Sequence, residues 1–403
     1  MRLMDTLTSD APEVAAIRRD IHAHPELCFE EHRTSDKVAN ELERLGIEVH
    51  RGLGTTGVVG VIRGKQAGAG ECRSIGFRAD MDALPIQEAN TFAHASTYAG
   101  KMHGCGHDGH TAMLLGAARH LAAHREFAGT VYLIFQPAEE GGGGAREMIK
   151  DGLFERFDMD AVFAIHNWPG MATGTLGVSP GPVMASSNEF AITIRGKGAH
   201  AAMPHLGLDP VPVACQLVQA FQTIVSRNVN PNDSAVISVT QINAGETTNV
   251  IPNTCQLAGT VRTFTTPVLD EIETKMRTLS QQIASAFGLQ ADFEFVRNYP
   301  PTINDPQASE FVRQAVQELL TPEHVVAQVP TMGAEDFSYM LQAKPGAYIF
   351  LGNGEGDHRA LGHGAGPCTL HNPSYDFNDE LLPIGAAIWV TLAHAWLNRP
   401  SAG

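Results

Sequence analysis

The sequence predicts an α/β fold, with a mixed, mostly parallel sheet in a discontinuous larger domain and a smaller α+β domain inserted into it. Three features predict it: short apolar runs alternating with helical patterns in the first half, a switch to longer strands of alternating polarity from Ser186, and a return of the first texture after Arg297. At 403 residues the chain is long enough for two domains, and the changes in texture divide it into 1–185 with 297–403 and an inserted 186–296.

Thr34 or Ser35 is expected to cap a helix on which Val38, Leu42 and Leu45 recur at i, i+4 and i+7, with Gly46 as its stop. Residues 57–62, 74–79, 130–135 and 160–165 are apolar runs of strand length, and helical patterns at 111–123 and 145–153 separate the last three. Strand, helix, strand in that order indicates parallel pairing, because a parallel connection needs a crossover. The ligand crevice of such a sheet lies outside the carboxyl ends of its strands, which directs attention to the polar residues that follow each run. In the insert, strands are expected at 188–195, 235–243, 254–264 and near 290–296, with helices at 210–227 and 267–287. A strand at 347–351 and a helix from Asp379 complete the larger domain. The apolar stretch 384–397 is interrupted by Thr391 and His394 and falls short of the ~20 residues a bilayer requires, so a buried helix is expected there.

Composition narrows the function classes. Hydrophobic residues at 43% and charged residues at 18% describe a folded chain rather than a disordered or coiled-coil one. The 28 basic and 44 acidic residues give a formal charge of -16, which repels phosphate backbones and anionic membranes, so neither nucleic acid nor membrane is expected as a partner. The N-terminal segment carries Arg2, Asp5, Asp10, Glu13 and Arg18 without an apolar core, and no secretory signal is expected. Cysteines at 28, 72, 105, 215, 255 and 368 form no CxxC pair, which suits a reducing compartment and a cytoplasmic location.

The chemistry is concentrated in a few segments. His103-Gly104-Cys105-Gly106-His107-Asp108-Gly109-His110 offers a thiol, three imidazoles and a carboxylate on a glycine-rich backbone, which are metal-ligand groups; a polar loop capping the next helix through Asp108 is the plainer alternative. Gln136-Pro137-Ala138-Glu139-Glu140 follows the 130–135 run directly. Two adjacent carboxylates repel each other and call for positive charge, and a hydrolytic metal site needs one carboxylate on the ion and another to take a proton from water. A solvated acidic turn ahead of a helix would look the same. His166 ends the 160–165 run, His371 lies in a late loop, and Asp80 and Asp82 follow the 74–79 run, where they suit support of a ligating histidine or a simple strand-ending turn. Gly177-Val178-Ser179-Pro180-Gly181 imitates a serine-hydrolase elbow, but Pro180 lacks the N–H that an oxyanion hole requires. The run Gly141 to Gly144 lacks the Gly-Lys-Ser/Thr of a phosphate loop.

Taken together, these segments resemble metallopeptidase family M20, in the amidohydrolase branch that contains hippurate hydrolases, N-acyl-amino-acid amidohydrolases and plant auxin-conjugate hydrolases. The resemblance is carried by His22-Ala23-His24-Pro25-Glu26, the Arg78 to Pro85 segment, Lys101 to His110, Gln136 to Glu140, Gly198-Ala199-His200, Asn249-Val250-Ile251-Pro252, Gly333-Ala334-Glu335-Asp336-Phe337 and His371 to Phe377. It implies a catalytic α/β domain interrupted by a lid domain that forms the dimer contact; hinges for lid closure are placed near 184–188 and 296–298. It implies two divalent metal ions held by Cys105, His107, Glu140, His166 and His371, Glu139 as general base, and Asp80 and Asp82 in support of the ligands. His200, from the lid of a partner subunit, would steady the oxyanion, while Asn249 and Arg262 would hold the substrate carboxylate. The branch has Cys105 where other members have a bridging carboxylate and Asp80 where they have a ligand histidine. A thiolate favours zinc, with manganese, cobalt and nickel as alternatives. The implied reaction is hydrolysis of an N-acyl amino acid, hippurate-like or N-acetylated, by a homodimer or dimer-based homo-oligomer. A dipeptidase or carboxypeptidase on the same scaffold is the alternative.

Overall fold

The apolar runs become strands because each buries both of its faces, as central strands of an α/β sheet must. The computed structural model describes residues 3–66, 73–356 and 361–399; Arg2 and Cys72 lie outside the described residues. Two compact units form, one from 1–181, 304–329 and 339–403, the other from 182–303 and 330–338.

The first unit is built on β1 (Glu48–Leu53), β2 (Gly57–Arg63), β3 (Ser74–Asp80), β4 (Thr130–Gln136), β5 (Val162–Trp168), β6 (Leu176–Gly177), β7 (Val325–Val326) and β8 (Gly346–Gly352). Among the described residues they form one sheet in the order β1-β2-β4-β3-β5-β8-β6-β7. Its centre, β4-β3-β5-β8, is parallel, whereas β1 and β2 run antiparallel at one edge. β1 escapes sequence reading because it is an edge strand, polar or half-exposed along most of its length. Helices α1 (Leu3–His22), α2 (His32–Arg44), α3 (His107–Ala123) and α4 (Leu381–Leu397) belong to the same unit. α1 and α4 pack on α3, and Trp389 of α4 meets Phe77 of β3 at a ring separation of 4.6 Å. The apolar stretch at 384–397 is thus a buried helix, and among the described residues no helix is long and apolar enough to cross a membrane.

Two helix starts differ from expectation, both through contacts distant in sequence. Neither Thr34 nor Ser35 caps α2: the helix begins at His32, and the Glu26 carboxylate accepts the N–H groups of Arg33 and Thr34 at 2.9 and 2.8 Å and the Thr34 hydroxyl at 2.9 Å. α3 begins at His107 rather than near 111, which draws His107 and His110 into its first turn. Gly106 precedes it with φ 93, and a Cβ there would meet Asn167 Nδ2 at 2.2 Å and Tyr375 Oη at 2.4 Å, so only glycine fits.

The second unit contains an antiparallel sheet of Ala235–Ala244, Thr254–Thr263, Ser187–Arg195 and Gln290–Tyr299, in that order. Helices Pro210–Thr223 and Thr266–Ala286 cover it, with Phe190, Ile192, Leu217, Phe221, Ile272 and Met276 in its core. Asp209 caps the first of them by accepting the Val211 N–H at 3.0 Å.

A buried ion network ties α1 to the first turn of α3. Arg18, 1% exposed, pairs with Asp108 at 3.2 Å, Asp376 at 3.0 Å and Asp379 at 2.8 Å. His22 Nδ1 lies 2.9 Å from Asp108 Oδ2 and its Nε2 3.2 Å from Glu88 Oε1. Burial alone would lower the pKa of His22, but Asp108 and Glu88 push it up to about 9. Asp108 therefore serves α1 rather than capping α3. Replacing His22 by Gln leaves buried carboxylates short of a cation and is expected to destabilise the protein by about 3 kcal/mol at pH 6. Because the folded-state value is raised, the His22 contribution is complete below its ordinary value and is lost as pH rises through about 9. Urea unfolding of both proteins from pH 6 to 10 tests this: their stability difference should shrink across that range, and a constant difference would mean that His22 is not charged.

Candidate metal centre

The carboxyl ends of the parallel strands converge on one cluster of the first unit. β3 ends in Asp80, with Asp82 two residues on; β4 leads into Glu139 and Glu140; β5 carries His166 and Asn167. Cys105 and His107 enter from the start of α3, and His371, with φ 60, is held by its N–H donating to Gly104 O at 2.8 Å. Cys105, His107 and His166 offer ligand atoms within 4.8 Å of one another, and so do Cys105, Glu140 and His371. Cys105 is common to both groups. Glu139, 7% exposed, forms a third such group with His107 and Glu140.

Two of the imidazoles are aimed by a contact on their far side. His166 Nδ1 donates to Asn167 O at 2.6 Å, leaving Nε2 directed at Cys105 Sγ, 3.4 Å away. His107 Nδ1 lies 3.2 Å from Asp82 Oδ1, while its buried Nε2 has no hydrogen-bond partner among the described residues and stands 3.7 Å from Asp80 Oδ2 and 4.0 Å from Glu140 Oε1. His371 Nε2 lies 3.1 Å from Glu140 Oε1. A carboxylate behind the outer nitrogen of a ligating imidazole is the usual support of metal sites. Asp82 also accepts the Glu140 N–H at 2.9 Å, so one carboxylate fixes groups from two elements.

The electrostatics call for a cation. Burial would lower the pKa of His107, yet Asp80, Asp82 and Glu140 push it up to about 10. Burial and the carboxylates of Glu140, Glu139 and Asp80 hold the Cys105 thiol well above its ordinary value, so a thiolate forms there only when a cation compensates it. An imidazole nitrogen without a partner, a buried thiol and nearby carboxylates fit divalent ions.

Of the imidazoles in the His103 to His110 segment, His107 alone joins the thiol group. His110 donates from Nδ1 to Asp80 Oδ1 at 2.6 Å and accepts the Asn167 N–H at Nε2 at 2.9 Å, so both nitrogens are engaged. His103 is buried beside His22, at a ring separation of 6.1 Å. Asp80 is itself braced by Arg78 Nη1 at 2.7 Å and, although burial alone would raise it, is held well below the usual carboxylate range by His107, Arg78 and His110. Sequence reasoning assigned no role to Asn167, whose side chain donates to Cys105 O at 2.7 Å, or to Tyr375, whose hydroxyl donates to Asn167 Oδ1 at 2.7 Å. The only signal was the position of Asn167 directly after His166.

His200, Asn249 and Arg262 belong to the second unit. His200 is exposed, pairs with Val250 across a short ladder and accepts the Ala202 N–H at Nδ1 at 3.1 Å. Asn249 is beside it: its carbonyl accepts the Ala201 N–H at 3.0 Å and its side chain accepts the Thr247 hydroxyl at 3.0 Å. Arg262 lies on the strand Thr254–Thr263, where burial lowers its pKa against the opposing influence of Glu189.

The profile of peptidase family M20/M25/M40 matches residues 76–395. The chain belongs to this family. Within it, the chain is 43% identical over 371 residues to the N-acetyl-L-cysteine deacetylase of Bacillus subtilis (strain 168), covering 92% of this chain and 85% of that protein. It is 39% identical to the hippurate hydrolase of Campylobacter jejuni, over 98% of this chain and all 100% of the relative. It is 37% identical to thermostable carboxypeptidase 2 of Saccharolobus solfataricus, over 99% and 100% of the two chains. The crystal structure of the Bacillus subtilis YXEP protein, a dinuclear metal binding peptidase of the M20 family, superposes with a TM-score of 0.83 at 34% identity, over 97% of this chain and 99% of that one.

Removing the Asp82 carboxylate should loosen His107 and Glu140 together. Asp82→Ala is expected to weaken zinc binding about 10- to 100-fold, as loss of a supporting carboxylate does elsewhere. Competition against a chromophoric chelator measures this, and unchanged affinity in a folded variant would detach Asp82 from the ligands.

Proposed function

We propose that this M20 amidohydrolase cleaves the amide bond of N-acyl amino acids, giving a carboxylic acid and a free amino acid, at a two-ion site formed by Cys105, His107, Glu140, His166 and His371. The observation that carries the reading is the pair of ligand groups, Cys105-His107-His166 and Cys105-Glu140-His371, that share one thiol. Two relatives named for removing an acyl group from an amino acid support the substrate class. Two divalent ions held there would polarise the amide carbonyl and acidify water. The thiol of Cys105 favours zinc, with manganese next and cobalt or nickel as alternatives. Glu139, beside Glu140 and His107, takes the proton of the attacking water on its carboxylate and returns it to the nitrogen of the leaving amine.

The second unit serves as lid and dimer contact in this reading. Exposed Met203, Leu206, Leu208 and Val250 surround the His200 turn and support its burial against a second copy of the chain, where His200 donates to the developing oxyanion of the partner's substrate. Asn249 and Arg262 bind the substrate carboxylate, a task suited to the two-pronged guanidinium. We place the enzyme in the cytosol, where thiols stay reduced. Cleavage of peptides at the same site is the second reading, favoured by the carboxypeptidase relative.

Amino-acid release from hippurate, N-acetyl amino acids and dipeptides, after stripping and reloading with zinc, manganese, cobalt or nickel, tests the reaction and separates the two substrate classes. Glu139→Gln should retain metal while turnover falls about 10²- to 10⁴-fold; near-normal turnover with full metal would remove Glu139 from the reaction. His200→Ala and Glu139→Gln proteins, each inactive alone, should regain part of their activity in mixed dimers, and no recovery in a verified mixed dimer would take His200 out of the partner's site.

A further inference from the structure

The bend that carries Glu139 and Glu140 is held in part locally, by Gln136 Nε2 donating to Pro137 O at 3.2 Å, Gly144 N–H to Ala138 O at 3.1 Å and Gly141 N–H to Glu139 O at 2.7 Å. β4 ends at Gln136, Pro137 has no N–H, and Ala138 adopts φ 53, the left-handed region that disfavours a side chain. Its hydrogen bonds are completed by the loop between α1 and α2. Glu31, fully buried, accepts the Ala138 N–H at 2.9 Å and the Phe29 N–H at 3.0 Å on Oε1, and the Thr56 hydroxyl at 2.5 Å on Oε2. Phe29 is itself left-handed, with φ 62. Cys28 donates to Glu140 O at 3.0 Å, and its Sγ lies 3.4 Å from Asp82 Oδ2, the atom that accepts the Glu140 N–H. The two segments are in close contact: a Cβ on Gly142 would stand 2.7 Å from Ala138 Cβ and 3.0 Å from Phe29 Cε2. The Pro137–Ala138 peptide and both polar groups of the Glu140 backbone are therefore fixed from outside the β4 bend.

We propose that Glu31 and Cys28 are positioning residues of the reaction: Glu31 holds Ala138 in its left-handed turn and so aims Glu139, while Cys28 ties the Glu140 carbonyl to the Asp82 clamp and so holds a metal ligand in place. The proposal rests on the reading of Glu139 as proton acceptor and Glu140 as ligand. Its chemistry is unlike that of a stabilising ion pair. The Glu31 carboxylate receives hydrogen bonds from two amides and a hydroxyl, and burial, with Asp82 acting in the same direction, raises its pKa to about 7.

Isosteric and truncating variants separate aim from folding. Gln at 31 keeps an acceptor for the Ala138 and Phe29 N–H groups and presents an amide to the Thr56 hydroxyl, whereas Ala leaves both amides without an acceptor; Ser at 28 keeps a donor that Ala removes. With zinc saturating and hippurate as substrate, Glu31→Ala is expected to lower kcat about 10- to 100-fold with KM changed less than about threefold, and Glu31→Gln to restore most of it. Cys28→Ala is expected to weaken zinc binding about tenfold in chelator competition, and Cys28→Ser to restore it. A folded Glu31→Ala protein with normal kcat, or a Glu31→Gln protein as impaired as the Ala variant, overturns the role of Glu31. Normal zinc affinity in Cys28→Ala overturns that of Cys28, and this measurement stands even where Glu31→Ala does not fold. Glu139→Gln, assayed alongside, keeps the two levels apart: if it turns over normally the underlying site reading fails, whereas an inactive Glu139→Gln beside an unimpaired Glu31→Ala defeats the positioning proposal alone.

Discussion

Everything in the first unit is arranged around an excess of negative charge at the ends of β3 and β4. Asp80, Asp82 and Glu139 are buried, Glu140 is nearly so, and the Cys105 thiol joins them. Carboxylates taken out of water at such spacing cannot all ionise without cations, because desolvation and mutual repulsion act in the same direction. Arg78 neutralises part of the deficit from beneath, His107 takes a proton where one is offered, and divalent ions satisfy the rest. α3, the β4 bend and the His371 loop bring their donor groups to this same place.

Behind that cluster stands a ring of contacts whose work is geometric. Asn167 ties His110, Cys105 and Tyr375 together, the Glu26 carboxylate starts α2, and Arg18 with His22 anchors the residue that follows His107. Some of these groups adjoin the proposed ligands in sequence, as Asn167 adjoins His166, while Arg18 and His22 come from α1, far along the chain. The donor atoms of the proposed ligands are therefore already directed into the cluster, which would keep the ordering cost of binding an ion small.

How much of this could be read from the sequence depended on whether the signal was local. Apolar runs marked the central strands to within a few residues, because burial on both faces leaves a composition that no loop shares. The candidate ligands at 105, 107, 140, 166 and 371 stood out through their chemistry and the family resemblance, and the fold gathers them into two groups that share Cys105. The start of α2 at His32 was hidden because its capping group, Glu26, sits before it across a turn, and α3 began early because Gly106 is wedged against Asn167 and Tyr375. His110 and His107 look alike in sequence; only the three-dimensional partners of their second nitrogens show that one is a support and the other faces the cluster. β1 was missed for the opposite reason, since an edge strand carries too little apolar patterning to register.

The double duty of Asp82 has a consequence for ion choice. Because a single carboxylate grips the His107 ring on one oxygen and the Glu140 backbone on the other, the distance between those two groups is a property of the protein and not of its guest. In the proposed site, ions of different radius would be accommodated on the opposite wall, by His166 and by His371, the latter carried on a late loop and half-open to solvent. In the proposed site the strands and Asp82 would form a fixed jaw and the loop that carries His371 an adjustable one, so any tolerance for ions of different size would reside in that loop rather than in the strands.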